Sequence, residues 1–189
     1  MGSPMTGKDV AVDRLATRRQ ADVVELEAFV IAHYPRLIRL AGMVTHDVDA
    51  AQDSVQAGLE RAWRHRAELA DPSRLRPWLD RIVVREAIRL SGRGRAWFHR
   101  LFGTVRVDWI DVEEQASAAT AADATDLAAL RAAFAALSPA HRAVVALHLY
   151  AGYSIEETAR SLDVPVDTVR SRLRAARKRL RDGMCEVAS

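Results

Sequence analysis

The sequence predicts an all-α chain of two small helical domains joined by a flexible acidic linker, the C-terminal domain being a helix-turn-helix. Three observations predict it. Apolar residues recur at three-and-four spacing over most of the 189 residues, and no stretch alternates as a strand would. A polar, acidic, aperiodic segment separates two such regions, and the second region ends in a short capped helix, a turn and a basic helix. With 49% hydrophobic residues the chain has ample material for packed cores.

The elements follow in order. Residues 1–21 are polar and without period, and are expected to be a disordered tail. From Val23 a helical stripe runs through Leu26, Val30, Tyr34, Leu37, Leu40, Ala41 and Val44, and Pro35 is expected to kink or split that helix. A second helix from about Ala50 to Arg66 turns Ala51, Val55, Leu59, Ala62 and Trp63 inward. Its other side is polar, with Gln52, Asp53, Gln56 and Glu60. Asp71-Pro72-Ser73 marks a turn, and a third helix opens near Pro77 with Trp78, Ile82, Val83, Ile88 and Leu90 on its apolar side. Arg81, Arg85, Arg89, Arg93 and Arg95 make a basic band on the same segment, and Gly92 and Gly94 are expected to loosen it. The first domain is therefore placed at 22–100 and the linker at 101–126, with its acidic part from Val107 to Asp126.

The second domain, 127–185, starts with the stripe Leu127, Leu130, Phe134 and Leu137. Ser138-Pro139 reads as an N-cap and first helical residue, and Gly152 as the end of that helix. Ser154 and Glu157 have the spacing of a capping box, Asp163-Val164-Pro165 is a tight turn, and Val169, Leu173, Ala176 and Leu180 form the inward stripe of the last helix. That stripe forces Arg170, Ser171, Arg174, Arg177 and Lys178 outward. Near the helix start, Thr168, Arg170, Ser171 and Arg174 could reach base edges or phosphate; Arg177 and Lys178, one turn later, should meet mostly phosphate.

Charge location supports the same reading. The net charge is only +3, but residues 61–106 hold twelve arginines and four acids, 107–130 hold six acids and no base, and 170–181 hold seven bases and no acid. Charge runs are commonly just solvated faces. An acid-free run directly after a capped helix and turn points instead to nucleic acid, and arginine is the side chain suited to phosphate and guanine. A lone Cys185 excludes a disulfide framework or thiolate metal site, and no apolar run reaches a membrane span of roughly 18 residues. A cytoplasmic protein is expected. The six histidines are scattered, Asp47, Asp49 and Asp53 do not converge, and no catalytic constellation appears, so neither enzyme, metal nor cofactor is expected.

The segment SIEETARSLDVPVDTVRSRLRAARKRL, with the preceding LAALRAAFAALSPAHRAVVALHLYAGY, resembles the promoter-binding region 4 of sigma factors of the extracytoplasmic-function group. AQDSVQAGLERAWRHR resembles that group's polymerase-binding helix, and RLRPWLDRIVVREAIRL its promoter-melting helix, both in region 2 and in the expected order. About 160 residues are covered. The resemblance implies a factor that carries core RNA polymerase, through its beta and beta-prime subunits, to promoter DNA, with an anti-sigma factor as a further partner. It implies that Asp53, Gln56 and Glu60 face the polymerase clamp, and that Trp78, Arg81 and Arg85 hold the start-proximal element. The loop from His65 to Arg74, with Arg66 and Arg74, would capture a flipped base. Trp63 reads as core, whereas Trp78 reads equally as core or contact.

The chain departs from the family pattern at Ala57, usually glutamate, Arg85, usually asparagine, Ala175, often arginine, and His148, a frequent arginine beside the helix-turn-helix. These departures bear on the promoter sequence rather than the fold. The aromatic run Trp97 to Phe102 could dock on polymerase or an inhibitor, or pack back on the first domain. Two other functions fit parts of the pattern: a conventional helix-turn-helix regulator with an N-terminal sensor, and a helical enzyme with a basic pocket.

Overall fold

The structure, a computed structural model, describes residues 7–69, 71–102 and 121–187; the side chains of 7–25, 72, 92–102, 121–125 and 186–187 lie outside the description. Among the described residues every regular element is helical: α1 (Gly7–Thr45), α2 (Val48–His65), α3 (Leu75–Phe102), α4 (Ala121–Ala135), α5 (Pro139–Val145), α6 (Ile155–Leu162) and α7 (Val166–Val187). Single 3-10 turns at Arg66–Glu68 and Pro72–Arg74 lead from α2 to α3, and a π-helical turn, Ala146–Tyr150, prolongs α5.

Helices α1, α2 and α3 pack around one core. Leu37, Leu40 and Val44 of α1, Val55 of α2 and Leu79, Val83 and Val84 of α3 are fully enclosed, each worth about 1.5–3 kcal/mol of burial. Asp47 starts α2 as its N-cap, its carboxylate accepting from the Ala50 N–H at 2.7 Å. Gly58 sets how closely α2 and α3 approach, since a Cβ there would lie 2.9 Å from Val83 Cγ2 and 3.3 Å from Val83 Cα.

Several elements differ from what periodicity suggests. The backbone of 7–21 is helical, because no glycine or proline interrupts the chain between Gly7 and Pro35; residues 1–6 of the expected tail lie outside the described residues. Pro35 does not split α1. The carbonyl it leaves without a helical partner belongs to Ile31, which is 79% exposed, so water can take the bond's place. Tyr34, expected on the inward stripe, sits at its exposed edge. Helix α3 runs through Gly92 and Gly94, whose propensity cost of about 1 kcal/mol each is too small to end it. The expected linker overlaps α4 at 121–126, and 103–120 lie outside the described residues.

In the second region α4, α5 and α6 all pack on α7. Val144, Ala159, Val169 and Leu173 form one buried cluster, and Leu137, Val145 and Ala176 another. Ser138 does precede Pro139 at the start of α5, but its hydroxyl pairs with His141 Nδ1 at 2.6 Å instead of capping the backbone. Gly152 ends the α5 segment with φ +79. The two regions also touch: Ala143, Ala146 and Leu147 close the core of α1 to α3 from the far side.

The close approach at Gly58 gives a direct test. Gly58→Ala must push α2 off α3 and is expected to cost about 1–3 kcal/mol, lowering the melting temperature by several degrees. Gly152→Ala meets open space and carries only the left-handed backbone penalty of about 1–2 kcal/mol. Thermal unfolding by circular dichroism checks both; an unchanged melting temperature for Gly58→Ala contradicts the packing.

Candidate nucleic-acid interface

The helix-turn-helix is built by local chemistry. Ser154 Oγ accepts from the Glu157 N–H at 3.1 Å while the Glu157 carboxylate accepts from the Ser154 N–H at 2.8 Å, closing the capping box of α6. Those bonds hold the Glu157 carboxyl below its ordinary range. Asp163, at φ 57, turns the chain left-handed, and the Val164 N–H returns to the Ala159 carbonyl. Pro165 then opens α7, with the Thr168 and Val169 N–H groups bonded to its carbonyl.

Val169, Leu173 and Ala176 are buried, which turns Arg170, Ser171, Arg174, Arg177 and Lys178 out to solvent, with Thr168 half-buried beside them. Arg170 is steadied by Asp167 at 3.0 Å and Glu156 at 3.9 Å, and Ser171 Oγ donates to the Thr168 carbonyl. Arg174, Arg177 and Lys178 form no ion pair among the described residues. His148 stands apart from this face: it is half-buried on the π-helical turn, its Nδ1 2.6 Å from the Tyr153 carbonyl, and braces the entry to α6.

On α2, buried Ala51, Val55, Gly58 and Ala62 place Gln52, Asp53, Gln56 and Glu60 on the exposed side. Asp53, Gln56 and Glu60 fall on one face at three- and four-residue steps. Trp63, expected in the core, is instead 41% exposed. Ala62 takes the inward position; the Arg66 guanidinium covers the Trp63 ring at 4.7 Å from its centroid and donates to the Trp63 carbonyl.

The start of α3 and the loop before it form one wall of an open cleft of about 580 Å³. Arg74, Trp78 and Arg81 line it together with Glu68, Leu69, Asp71 and Pro77, while Glu157, Arg160 and Ser161 of α6 make the other wall. Trp78 is 9% exposed, Arg81 half-buried and Arg74 exposed. Asp71, its carboxyl lowered by bonds from the Ser73 hydroxyl and N–H, shapes the loop. Arg66 is not part of the cleft. Arg85, largely exposed, donates from Nε to the Ser161 carbonyl at 2.9 Å.

Three buried charged groups escaped the sequence reading: Glu86, paired with Arg89 at 2.6 Å and Arg61 at 3.4 Å, Asp80 and Arg142. Asp80 has no exposed surface; Arg36 meets it with two bonds of 2.7 and 2.6 Å, and the Tyr153 hydroxyl donates to it at 2.6 Å. Burial first, and then that bond, raise the Tyr153 phenol so that it stays a donor, while Asp80 raises the Arg36 guanidinium further. Arg142, 1% exposed, donates to the carbonyls of Val44 and Thr45 at the end of α1, to that of Ala135 at the end of α4 and to that of Leu137 just beyond it. The available signal was position: Asp80 precedes Val84 and Ala87 on an inward stripe, and Arg142 sits inside an otherwise apolar run. Among the described residues there is no group of side chains fit to hold a metal, and no helix is long and apolar enough to cross a membrane.

Comparison with known proteins agrees with this layout. The family model for sigma-70 region 2 matches residues 29–97, and that for sigma-70 region 4 matches 127–180. The ECF RNA polymerase sigma factor SigL of Mycobacterium tuberculosis is 32% identical over 169 residues, 89% of this chain and 93% of that protein. The RNA polymerase sigma-E factor of Streptomyces antibioticus is 32% identical over 168 residues, 86% of each chain. The fold is similar to that of the sigma factor RpoE of Bartonella quintana, solved with the anti-sigma factor NepR, with a TM-score of 0.59 and 24% identity over 84% of this chain and 95% of that one. With both regions present in order and relatives matched over nearly their full length, this chain belongs to the extracytoplasmic-function group of the sigma-70 family, factors that initiate transcription by bringing RNA polymerase to promoters and are not enzymes.

Proposed function

We propose a division of labour among named surfaces. Helix α7 reads the upstream promoter element as duplex, with Thr168, Arg170, Ser171 and Arg174 at base edges and Arg177 and Lys178 on phosphate, while His148 acts from outside that face by holding the entry to α6. The face Asp53, Gln56 and Glu60 binds the polymerase clamp. Arg74, Trp78, Arg81 and Arg85, with Arg66 at the margin, hold the melted start-proximal element, the residues between the two regions span them, and the protein works in the cytoplasm. An anti-sigma factor, the kind of partner solved with the Bartonella protein, would occlude these surfaces. The observation that carries the reading is the alignment of α7: with Val169 and Ala176 at 0% and Leu173 at 5% exposure, its basic side has only one direction to face.

Two experiments test the assignment. The Asp53→Lys, Glu60→Lys double variant keeps the buried side of α2 intact, so helicity and melting temperature should hold. Like-charge contact at an interface costs on the order of 3 kcal/mol, so core affinity should fall about 100-fold. Wild-type affinity, measured by titration of labelled protein with core enzyme, would remove this face from the interface.

For α7, Arg174→Ala should cost about 1–3 kcal/mol and flatten preference at one or two upstream base pairs. Lys178→Ala should weaken all promoters alike and lower the salt slope by about one. Holoenzyme binding to a library of upstream-element variants over a salt series separates them. Identical, sequence-independent losses would mean that Arg174 touches only phosphate.

A further inference from the structure

We propose that Arg61 of α2 and Arg89 of α3, gathered on the buried carboxylate of Glu86, form a further site for the phosphate backbone of the melted strand, with Glu86 as the residue that positions both. The site continues the band of Arg81 and Arg85, and it rests on the proposed assignment of that band to the start-proximal element.

The cluster is fixed from below. Val83 of α3 meets α2 closely at Gly58; Glu86 lies one turn beyond Val83, and Arg61 one turn beyond Gly58. Glu86 is buried, so its charge must be met by neighbouring groups instead of water. Arg89 meets it twice, with Nε and one terminal nitrogen each 2.6 Å from Oε2. Arg61 reaches the other oxygen, Oε1, from α2 at 3.4 Å. One carboxylate thus carries two guanidiniums, and one positive charge is left over.

Neutralising Glu86 needs only one of these arginines. The surplus charge faces solvent, since 60% of the Arg61 side chain and 45% of the Arg89 side chain are exposed. Among the described residues neither pairs with another acid, whereas Arg64, one turn beyond Arg61, pairs with Glu60. Arg81, Arg85 and Arg89 follow one another at four-residue steps. Each step rises about 6 Å and turns about 40°, which carries the band to the side of α3 that faces α2, and Arg61 widens it there. A guanidinium that spends one edge on a carboxylate keeps its remaining N–H donors for a phosphate oxygen. Because Glu86 already holds both heads, taking up a phosphate costs little further side-chain freedom. Such a row tracks a backbone without reading its bases.

The test uses holoenzyme and two probes cut from a promoter fragment that this holoenzyme transcribes: the fragment as a pre-opened bubble, and its upstream part alone as duplex. Arg61→Gln and Arg89→Gln are made singly, so that the other arginine stays on Glu86 and the fold holds; melting temperature and core affinity are measured for each. Both should bind the bubble several-fold more weakly and lower its salt slope by about 0.7, one phosphate's share on a single strand, with duplex binding unchanged. Arg61→Lys and Arg89→Lys keep the charge and should restore the slope. Glu86→Gln frees both heads and should weaken bubble binding although it adds net positive charge, the opposite of what charge attraction alone predicts. A wild-type slope on the bubble together with a lowered melting temperature makes the cluster a brace between helices and overturns the site. Equal losses on bubble and duplex, or tighter bubble binding by Glu86→Gln, overturn it as well. Arg85→Ala separates this from the underlying assignment: if that variant lowers the bubble slope where the Arg61 and Arg89 variants do not, the band stands and only its extension fails. If Arg85→Ala also leaves the slope unchanged, the assignment of α3 to the melted strand falls with it.

Discussion

Asp80 is a carboxylate with no access to water, and such a group is tolerated only where charge and hydrogen bonds replace its hydration. Arg36 supplies the charge from α1 and Tyr153 a proton from the second region, so one side chain of α3 ties three parts of the chain. The placement of Arg81 and Arg85 follows, because they ride on the same helix one to five residues further on. So does the entry of α6, which leaves Tyr153 within two residues. Removing one partner of such a buried pair typically costs about 3–5 kcal/mol, whereas replacing the whole set by apolar groups can cost little. The cluster is therefore read as a device for fixing arrangement rather than for adding stability.

Arg142 makes the complementary tie. Helices α1 and α4 end with carbonyls that lack helical partners, and a single guanidinium reaches both ends. Its planar fork of five donors makes this possible; a lysine could not serve four carbonyls in two directions. The two regions are thus joined by polar bonds that break in water with modest loss, laid over an apolar contact through Ala143 and Leu147.

Much of the fold was legible because stripe and cap signals are local. Val169, Leu173 and Ala176 lie inward as their spacing requires, the box of Ser154 and Glu157 forms, and the polar side of α2 is exposed. The exposed DNA-facing candidates on α7 follow from that stripe alone. What was not legible depends on partners distant in sequence. Trp63 looked like core because it continues the stripe of Val55 and Leu59, but Ala62 takes the inward position and Trp63 lies at the exposed edge. Pro35 left a kink or a split open, and the helix is not split because the lost bond falls on an exposed turn. Asp80 and Arg142 look like any surface charge until the groups 44 to 98 residues away are in place. The cleft itself was invisible for the same reason, since its walls come from two regions.

On the proposed reading the same chain offers two kinds of nucleic-acid surface, one on the single rigid helix α7 and one at the start of α3. Transcription from a pool of genomic fragments, with core polymerase, this protein or both, tests that view most directly. The account predicts discrete start sites that appear only when core and protein are combined, each preceded by two sequence elements at a fixed spacing. Selection of the same fragments by the protein without core, with no new start sites when core is added, would contradict it and mark the chain as an ordinary duplex-binding regulator.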